Sequence, residues 1–220
     1  MTKKRPSDYI KEAFQTGDYL GWFEKVYADA ESADGVVPWA INDANPLLTA
    51  WVERQQPDSQ THAGRAIVIG CGLGDDAEYL AAQGYTVTAF DISQSAIDAC
   101  KRRFPDSSVT YQVADLFKLP PEWSGAFDFV FESRTIQSLP WHMADDAIAA
   151  IARLVAPGGA LLVVCNGREP AESKQGIPWP LSRDELAQFI AQGLTEKRFE
   201  EFGASSAQRH FRVTYQKLRM

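Results

Sequence analysis

Little in this sequence could build a metal centre or a disulfide framework. The chain holds three cysteines, Cys71, Cys100 and Cys165, and three histidines, His62, His142 and His210, and none of them stands at metal-ligand spacing. An odd cysteine count, with two of the three in apolar strand-like or helix-like surroundings, reads as buried free thiols. Basic charge is equally scarce. Twenty-two Lys and Arg face 29 Asp and Glu, for a net charge of −7 and a pI near 5.0, and no basic cluster goes beyond Lys3-Lys4-Arg5. That balance disfavours nucleic acid or an anionic membrane as the main ligand. No run approaches about 18 apolar residues, and Met1 is followed by polar, charged chain rather than an apolar export signal. The expectation is a cytoplasmic, reduced protein with no metal and no nucleic-acid or membrane partner.

What is present is 45% hydrophobic content over 220 residues, enough for one sizeable core. A single domain over 1–220 is expected, with a helical cap over 1–60 and an α/β core over 61–220. In the cap, Ser7 can N-cap a helix beginning DYIKEAF, with Ile10, Phe14 and Leu20 on its apolar side. ADAESADGVVPW reads as loop, and NPLLTAWVER as a short helix capped by Asn45 with Pro46 at its first position. From residue 65 short apolar runs alternate with amphipathic helices. Strands are expected at 65–70, 86–90, 109–113, 127–132 and 159–165, and helices at 75–83, 94–104 and 143–155. That rhythm means a parallel sheet covered on both faces. A helix at 183–192 then precedes two alternating segments, 195–202 and 209–218, joined by a turn containing Gly203, Ala204 and Ser205. These form an antiparallel edge hairpin.

The most informative stretch is AIVIGCGLGDDAEYL, residues 66–80. It lacks the lysine that a phosphate-binding P-loop requires. It also lacks the third glycine of a dinucleotide fingerprint, since position 75 is aspartate. In dinucleotide folds the pyrophosphate sits at the N-terminus of the following helix. Asp75 and Asp76 occupy that turn here, suit the helix end themselves and would repel a phosphate. Downstream, Asp91 ends the next strand, where an acid meets both ribose hydroxyls of an adenosine, and Asp115 ends the strand after that, placed to meet an adenine edge. The pattern favours an adenosine without a pyrophosphate.

Together these segments resemble the class I S-adenosylmethionine-dependent methyltransferases, from about residue 36 to the C-terminus. VIGCGLGDD is similar to their glycine-rich motif, AFDIS to the second motif, VADLF to the adenine-contacting motif and LVAPGGALLVV to the late helix–turn–strand. One lone glycine motif is weak, but four in order are specific. Val68 stands where the family commonly has an acid, a departure that resembles the thiopurine, thiol and halide methyltransferase branch. GWFEKVYADAESADGVVPWAINDANPLL is similar to that branch's lead-in. The resemblance implies a Rossmann-like, doubly wound, mostly parallel seven-stranded sheet with an antiparallel C-terminal edge hairpin, and S-adenosyl-L-methionine as cofactor. It implies Trp39, Gly70, Cys71, Gly72, Gly74, Asp91, Ile92, Asp115, Leu116 and Glu132 on the cofactor, with Trp22 beside the pocket.

Methyl transfer from a sulfonium needs in-line positioning, and a base only when the acceptor is not already anionic. Candidates stand at the carboxyl ends of the fourth and fifth strands. Glu132 reads either as a base or partner of the cofactor's charged end, or as a loop or helix-start acid. Arg168 and Arg134 read as anion binders or as surface ion pairs. Trp141 and Trp179 read as pocket wall or core, His142 as a proton shuttle or a structural residue, and Cys165, Trp51 and Trp123 as packing. No strong base and no metal set emerges. The expected function is methyl transfer to a small molecule, on S or O, by a monomer or simple homodimer. The alternatives are carboxylate or N methylation, a non-catalytic cofactor binder, and a nicotinamide-dependent oxidoreductase.

Overall fold

A computed structural model describes residues 5–32, 37–55, 64–174, 176–203 and 209–219. Seven strands, β1 (Arg65–Ile69), β2 (Thr86–Asp91), β3 (Thr110–Val113), β4 (Phe127–Ser133), β5 (Val155–Asn166), β6 (Leu194–Phe202) and β7 (His210–Lys217), form one sheet in the order β3-β2-β1-β4-β5-β7-β6. β1 to β5 pair in parallel. β7 runs antiparallel to both β5 and β6, which closes the sheet with the expected hairpin. Strand order reverses between β1 and β4, and the carboxyl ends of those strands open a crevice there.

The inner strands are mostly apolar because helices cover both faces. On one face α7 (Ala144–Leu154) buries Ala147, Ile148, Ile151 and Leu154, one stripe of an amphipathic helix, with Asp145 and Asp146 in its first turn. α6 (Thr135–Ser138), α8 (Arg183–Leu186) and α9 (Gln188–Ala191) complete that side. On the other face lie α3 (Pro46–Gln55), α4 (Asp75–Ala82) and α5 (Gln94–Arg103). Trp51 of α3 stacks on Phe129 at 4.9 Å and donates to Thr214 Oγ1 at 2.9 Å, so it is core as expected, while Trp123, expected to pack a loop, joins the buried core. Asn45 caps α3 as expected, its Oδ1 accepting from Leu47 N–H at 2.9 Å.

The cap differs from expectation in three ways. α1 (Pro6–Thr16) starts one residue before Ser7, because Pro6 suits the first helical position and Asp8 accepts from Arg5 N–H at 2.9 Å. It stops at Gly17 in the left-handed region, so Leu20 lies beyond it, and Phe14 is exposed, its ring only edge-on to Tyr19. The segment ADAES is helix, not loop: α2 (Gly21–Ser32) runs through it. Asp18 accepts from Gly21 N–H at 3.0 Å to start that helix, and Trp22 and Val26, one turn apart, bury against Tyr9 and Ala13 of α1. Residues 33–36 of the expected loop, Ala204 and Ser205 of the hairpin turn, and His62 fall outside the described residues. The helix expected over 183–192 breaks at Ala187 into α8 and α9. No helix among the described residues is long and apolar enough to cross a membrane.

Candidate active site

Between β1 and α4 the chain turns through three glycines with positive φ, Gly70 at 58°, Gly72 at 56° and Gly74 at 91°. Gly70 and Gly74 are also closed to a side chain by space, and Gly72 is tight. A Cβ on Gly70 would meet Thr135 Oγ1 at 2.5 Å, on Gly72 the Tyr27 hydroxyl at 3.0 Å, and on Gly74 the Tyr111 hydroxyl at 2.5 Å. The turn is therefore a bare-backbone cradle. Asp75 does not face it as a free charge, because Arg103 holds both its oxygens at 2.8 and 2.9 Å. Asp76 accepts from Asn45 N–H at 2.7 Å. Burial pushes its carboxyl up to about 6, against the pull of that hydrogen bond.

Asp91 stands at the tip of β2, with Oδ2 accepting from Gly72 N–H and Oδ1 from Ser93 N–H, each at 3.0 Å. Burial raises its pKa to about 6, opposed by those hydrogen bonds. These contacts fix the carboxylate's plane while leaving acceptor capacity toward the cavity. After β3, Asp115 accepts from Phe117 N–H at 2.9 Å and pairs with Lys118 at 3.3 Å, and Leu116 is buried next to it. A cavity of about 710 Å³ runs past all of these groups. Gly70, Cys71, Gly72, Asp91, Ile92, Asp115, Leu116, Trp22, Trp39 and Arg134 line it, while Gly74 supports the turn from behind.

The cap closes one end. Trp22 is buried, stacks on Phe23 at 4.0 Å and meets Trp39 edge-on at 5.9 Å. Trp39 donates through Nε1 to the Tyr27 hydroxyl at 3.0 Å. Glu24 reaches α5, accepting from Ser93 Oγ at 2.6 Å, Ser95 Oγ at 2.6 Å and Ser95 N–H at 3.1 Å. The sequence reading missed Glu24 and Tyr27. Their three-residue spacing on a helix that also carries Trp22 and Val26 was the available signal. It also passed over His210, which borders the cavity at the start of β7.

The acceptor-side expectations need correction. Glu132 is fully buried and does not line the cavity. Its Oε1 accepts from Thr135 N–H at 2.6 Å and Ile136 N–H at 3.1 Å, capping α6, and its Oε2 has no partner. Burial pushes this carboxyl up to about 7. Strand parity explains the placement: Phe131 and Ser133 face the cavity, so Glu132 faces the other side. Arg168 is likewise buried away from it. Its guanidinium donates to the carbonyls of Pro180, Glu169, Pro170 and Glu172 and pairs with Glu185 at 2.9 Å, so it clips the loop after β5. Trp179 is core, its Nε1 donating to Leu139 O at 2.6 Å. Trp141 is 66% exposed; with Trp179 it borders a separate recess of about 450 Å³. His142 meets Tyr19 edge-on at 5.4 Å, and Cys165 is buried. Arg134 does face the cavity, held at φ 61° with an Nε that is buried and without a partner.

A doubly wound sheet with a reversed last strand, a glycine cradle tied to an acid at the tip of β2, and an aromatic cap define a class I S-adenosylmethionine-dependent methyltransferase. The chain belongs to the thiopurine S-methyltransferase family, whose model matches residues 28–218. It is similar to the thiopurine S-methyltransferase of Vibrio parahaemolyticus, 26% identical over 72% of this chain and 78% of that protein. It is 34% identical to the ubiquinone biosynthesis O-methyltransferase of Thiobacillus denitrificans over 54% of this chain, and spans about half the length of that enzyme. In fold it is similar to the N-methyltransferase NodS from Bradyrhizobium japonicum, solved with S-adenosyl-L-homocysteine. The TM-score is 0.67 at 20% identity, covering 87% and 98% of the two chains.

Proposed function

We propose that this chain transfers a methyl group from S-adenosylmethionine to a small acceptor that carries a soft sulfur nucleophile. The observation that carries this reading is one cavity combining the Asp91-anchored glycine cradle with an aromatic cap end and the inward-facing Arg134. The residues fit the cofactor. The bare cradle at Gly70 and Gly72 admits close approach, Asp91 offers its remaining lone pairs to a ribose, and Asp115 with Ile92 and Leu116 borders the space for an adenine. When bound, the cofactor supplies an electrophilic methyl on a positively charged sulfur.

The chain's own groups would then orient the acceptor and exclude water. Trp22, Trp39 and Tyr27 wall the cap end. Arg134 places a positive charge beside the acceptor, which lowers a thiol's pKa toward the thiolate, the reactive form. A separate base is not needed for such an acceptor. Glu132 braces the turn that presents Arg134 rather than taking a proton. A chain of net charge −7, acting through a capped cavity of about 710 Å³, suits a small molecule better than nucleic acid or a membrane. We infer one working unit, with 1–60 as cap and 61–220 as core, acting in the cytoplasm as a monomer or simple homodimer.

An oxygen acceptor is the second reading, favoured by the similarity to an O-methyltransferase over 54% of this chain. Product analysis by mass spectrometry with benzenethiol, iodide, a catechol and a fatty acid separates the two. The methyl thioether should dominate; exclusive methylation of the catechol or the carboxylate would replace the sulfur reading.

A further inference from the structure

We propose that Glu24 on the cap is a positioning residue for Asp91, acting through Ser93, so that seating the cap and presenting the ribose-binding acid are one coupled event. The proposal rests on the adenosyl reading of the cavity. Its basis is an unbroken run of hydrogen bonds from cap to cradle. Glu24 Oε2 accepts from Ser93 Oγ at 2.6 Å. Ser93 N–H donates to Asp91 Oδ1 at 3.0 Å, and Asp91 Oδ2 accepts from Gly72 N–H at 3.0 Å.

Ser93 has no freedom to act independently. It is fully buried, and its hydroxyl also accepts from Ala96 N–H at 3.1 Å as the N-cap of α5. With its proton given to Glu24, its lone pair given to Ala96 and its amide given to Asp91, its backbone and side chain are both fixed. Glu24 is fixed in turn by Ser95, whose hydroxyl and amide donate to it at 2.6 and 3.1 Å. Burial alone would raise the Glu24 carboxyl. The hydrogen bonds from Ser93 and Ser95 outweigh it and hold the group below the ordinary range, so it is ionised and accepts strongly.

The N-terminus of α5 does not need this partner for its own sake, since Ser93 already caps it. A carboxylate arriving from 69 residues away instead ties two elements whose relative position decides the cavity. Trp22 lies two residues before Glu24 and Tyr27 three after, and both line the cavity. Tyr27 and Val37 pack on Ala96 of α5, an apolar contact beside the polar one. Loss of Glu24 would release the wall that these side chains form and let Ser93 turn, freeing one oxygen of Asp91.

The test is a double-mutant cycle on the full chain, read as the affinity for S-adenosylhomocysteine by calorimetry. Glu24→Ala should weaken binding about tenfold, matching loss of a hydrogen bond to a charged group. In an Asp91→Asn background the same change should have almost no further effect. Effects that multiply would mean that Glu24 only braces the cap, and the proposal would fall. A second readout needs no ligand: the Gly72 amide resonance should shift in Glu24→Ala but not in Tyr9→Phe, which loses the Tyr9–Asp29 hydrogen bond inside the cap. An unmoved Gly72 amide in Glu24→Ala overturns the linkage even if the cofactor reading stands. A wild-type chain that binds no S-adenosylhomocysteine, while Glu24→Ala still shifts the Gly72 amide, overturns the cofactor reading instead. Should Glu24→Ala not fold, Ser95→Ala removes one of the three hydrogen bonds and should move both readouts the same way by less.

Discussion

Thr135 Oγ1 donates to the carbonyl of Ile69 at 3.2 Å, and a Cβ on Gly70 would meet the same Thr135 hydroxyl oxygen at 2.5 Å. The glycine cradle and the turn bearing Arg134 are thus fastened to each other at one point. Gly70→Ala must move Thr135 and also hold alanine at a φ of 58°. It should cost about 1–3 kcal/mol of stability and weaken cofactor binding at least tenfold. Urea unfolding and calorimetry on the variant check both. A variant as stable and as tight as the parent would mean that the turn is not constrained by this contact.

Asp91→Ala should weaken S-adenosylhomocysteine binding by more than about tenfold, because hydrogen bonds to a charged group contribute roughly 1.5–3 kcal/mol. Unchanged affinity would remove the ribose assignment.

Part of this site was legible from the residues and part was not, for reasons visible in the fold. Asp91 was expected at the tip of β2 beside the glycine turn, and it stands there tied to Gly72; Asp75 was expected as a bare charge in the first turn of α4, and Arg103, distant in sequence, neutralises it. Glu132 was placed at the right strand tip but on the wrong face. Alternation along β4 puts it with Val130, toward α7, while Phe131 and Ser133 face the cavity. The alternation was in the sequence, yet which parity faced the ligand depended on where the helices packed. Arg168 was unreadable in a different way: its partners are mainly carbonyls of its own loop, and sequence does not show which backbone oxygens converge. The helix Gly21–Ser32 was read as loop over its last residues because its stabilisation is tertiary, through Trp22 and Val26 against α1.

Arg168→Met should lower stability by about 1–3 kcal/mol, since it leaves the part-buried carbonyls of the loop and the Glu185 carboxylate without their donor. At a temperature where the variant stays folded, kcat should match that of the parent. A selective loss of kcat with unchanged stability would return Arg168 to the chemistry.

The buried Glu132 carboxyl gives stability a pH dependence. Its folded pKa of about 7 lies above the ordinary 4.5, so the folded chain binds this proton more tightly than the unfolded one. Its contribution is full below about pH 4 and is lost as pH rises through about 7. The size is on the order of 3 kcal/mol at about 1.4 kcal/mol per pKa unit. Glu132→Gln keeps an acceptor for Thr135 and Ile136 and has no charge to bury. Its melting temperature should therefore change less between pH 5 and pH 8 than that of the parent. Equal slopes for the two proteins would show that Glu132 does not carry the dependence.

The central claim is that the cavity takes an adenosyl sulfonium and rejects a dinucleotide. Calorimetric titration of the full chain with S-adenosylmethionine, S-adenosylhomocysteine and NADH tests it most directly. Micromolar binding of the first two, with none of the third, is the predicted result. Binding of NADH, with no heat from either adenosyl compound, would contradict it and take the assigned roles of Asp91 and the cradle with it.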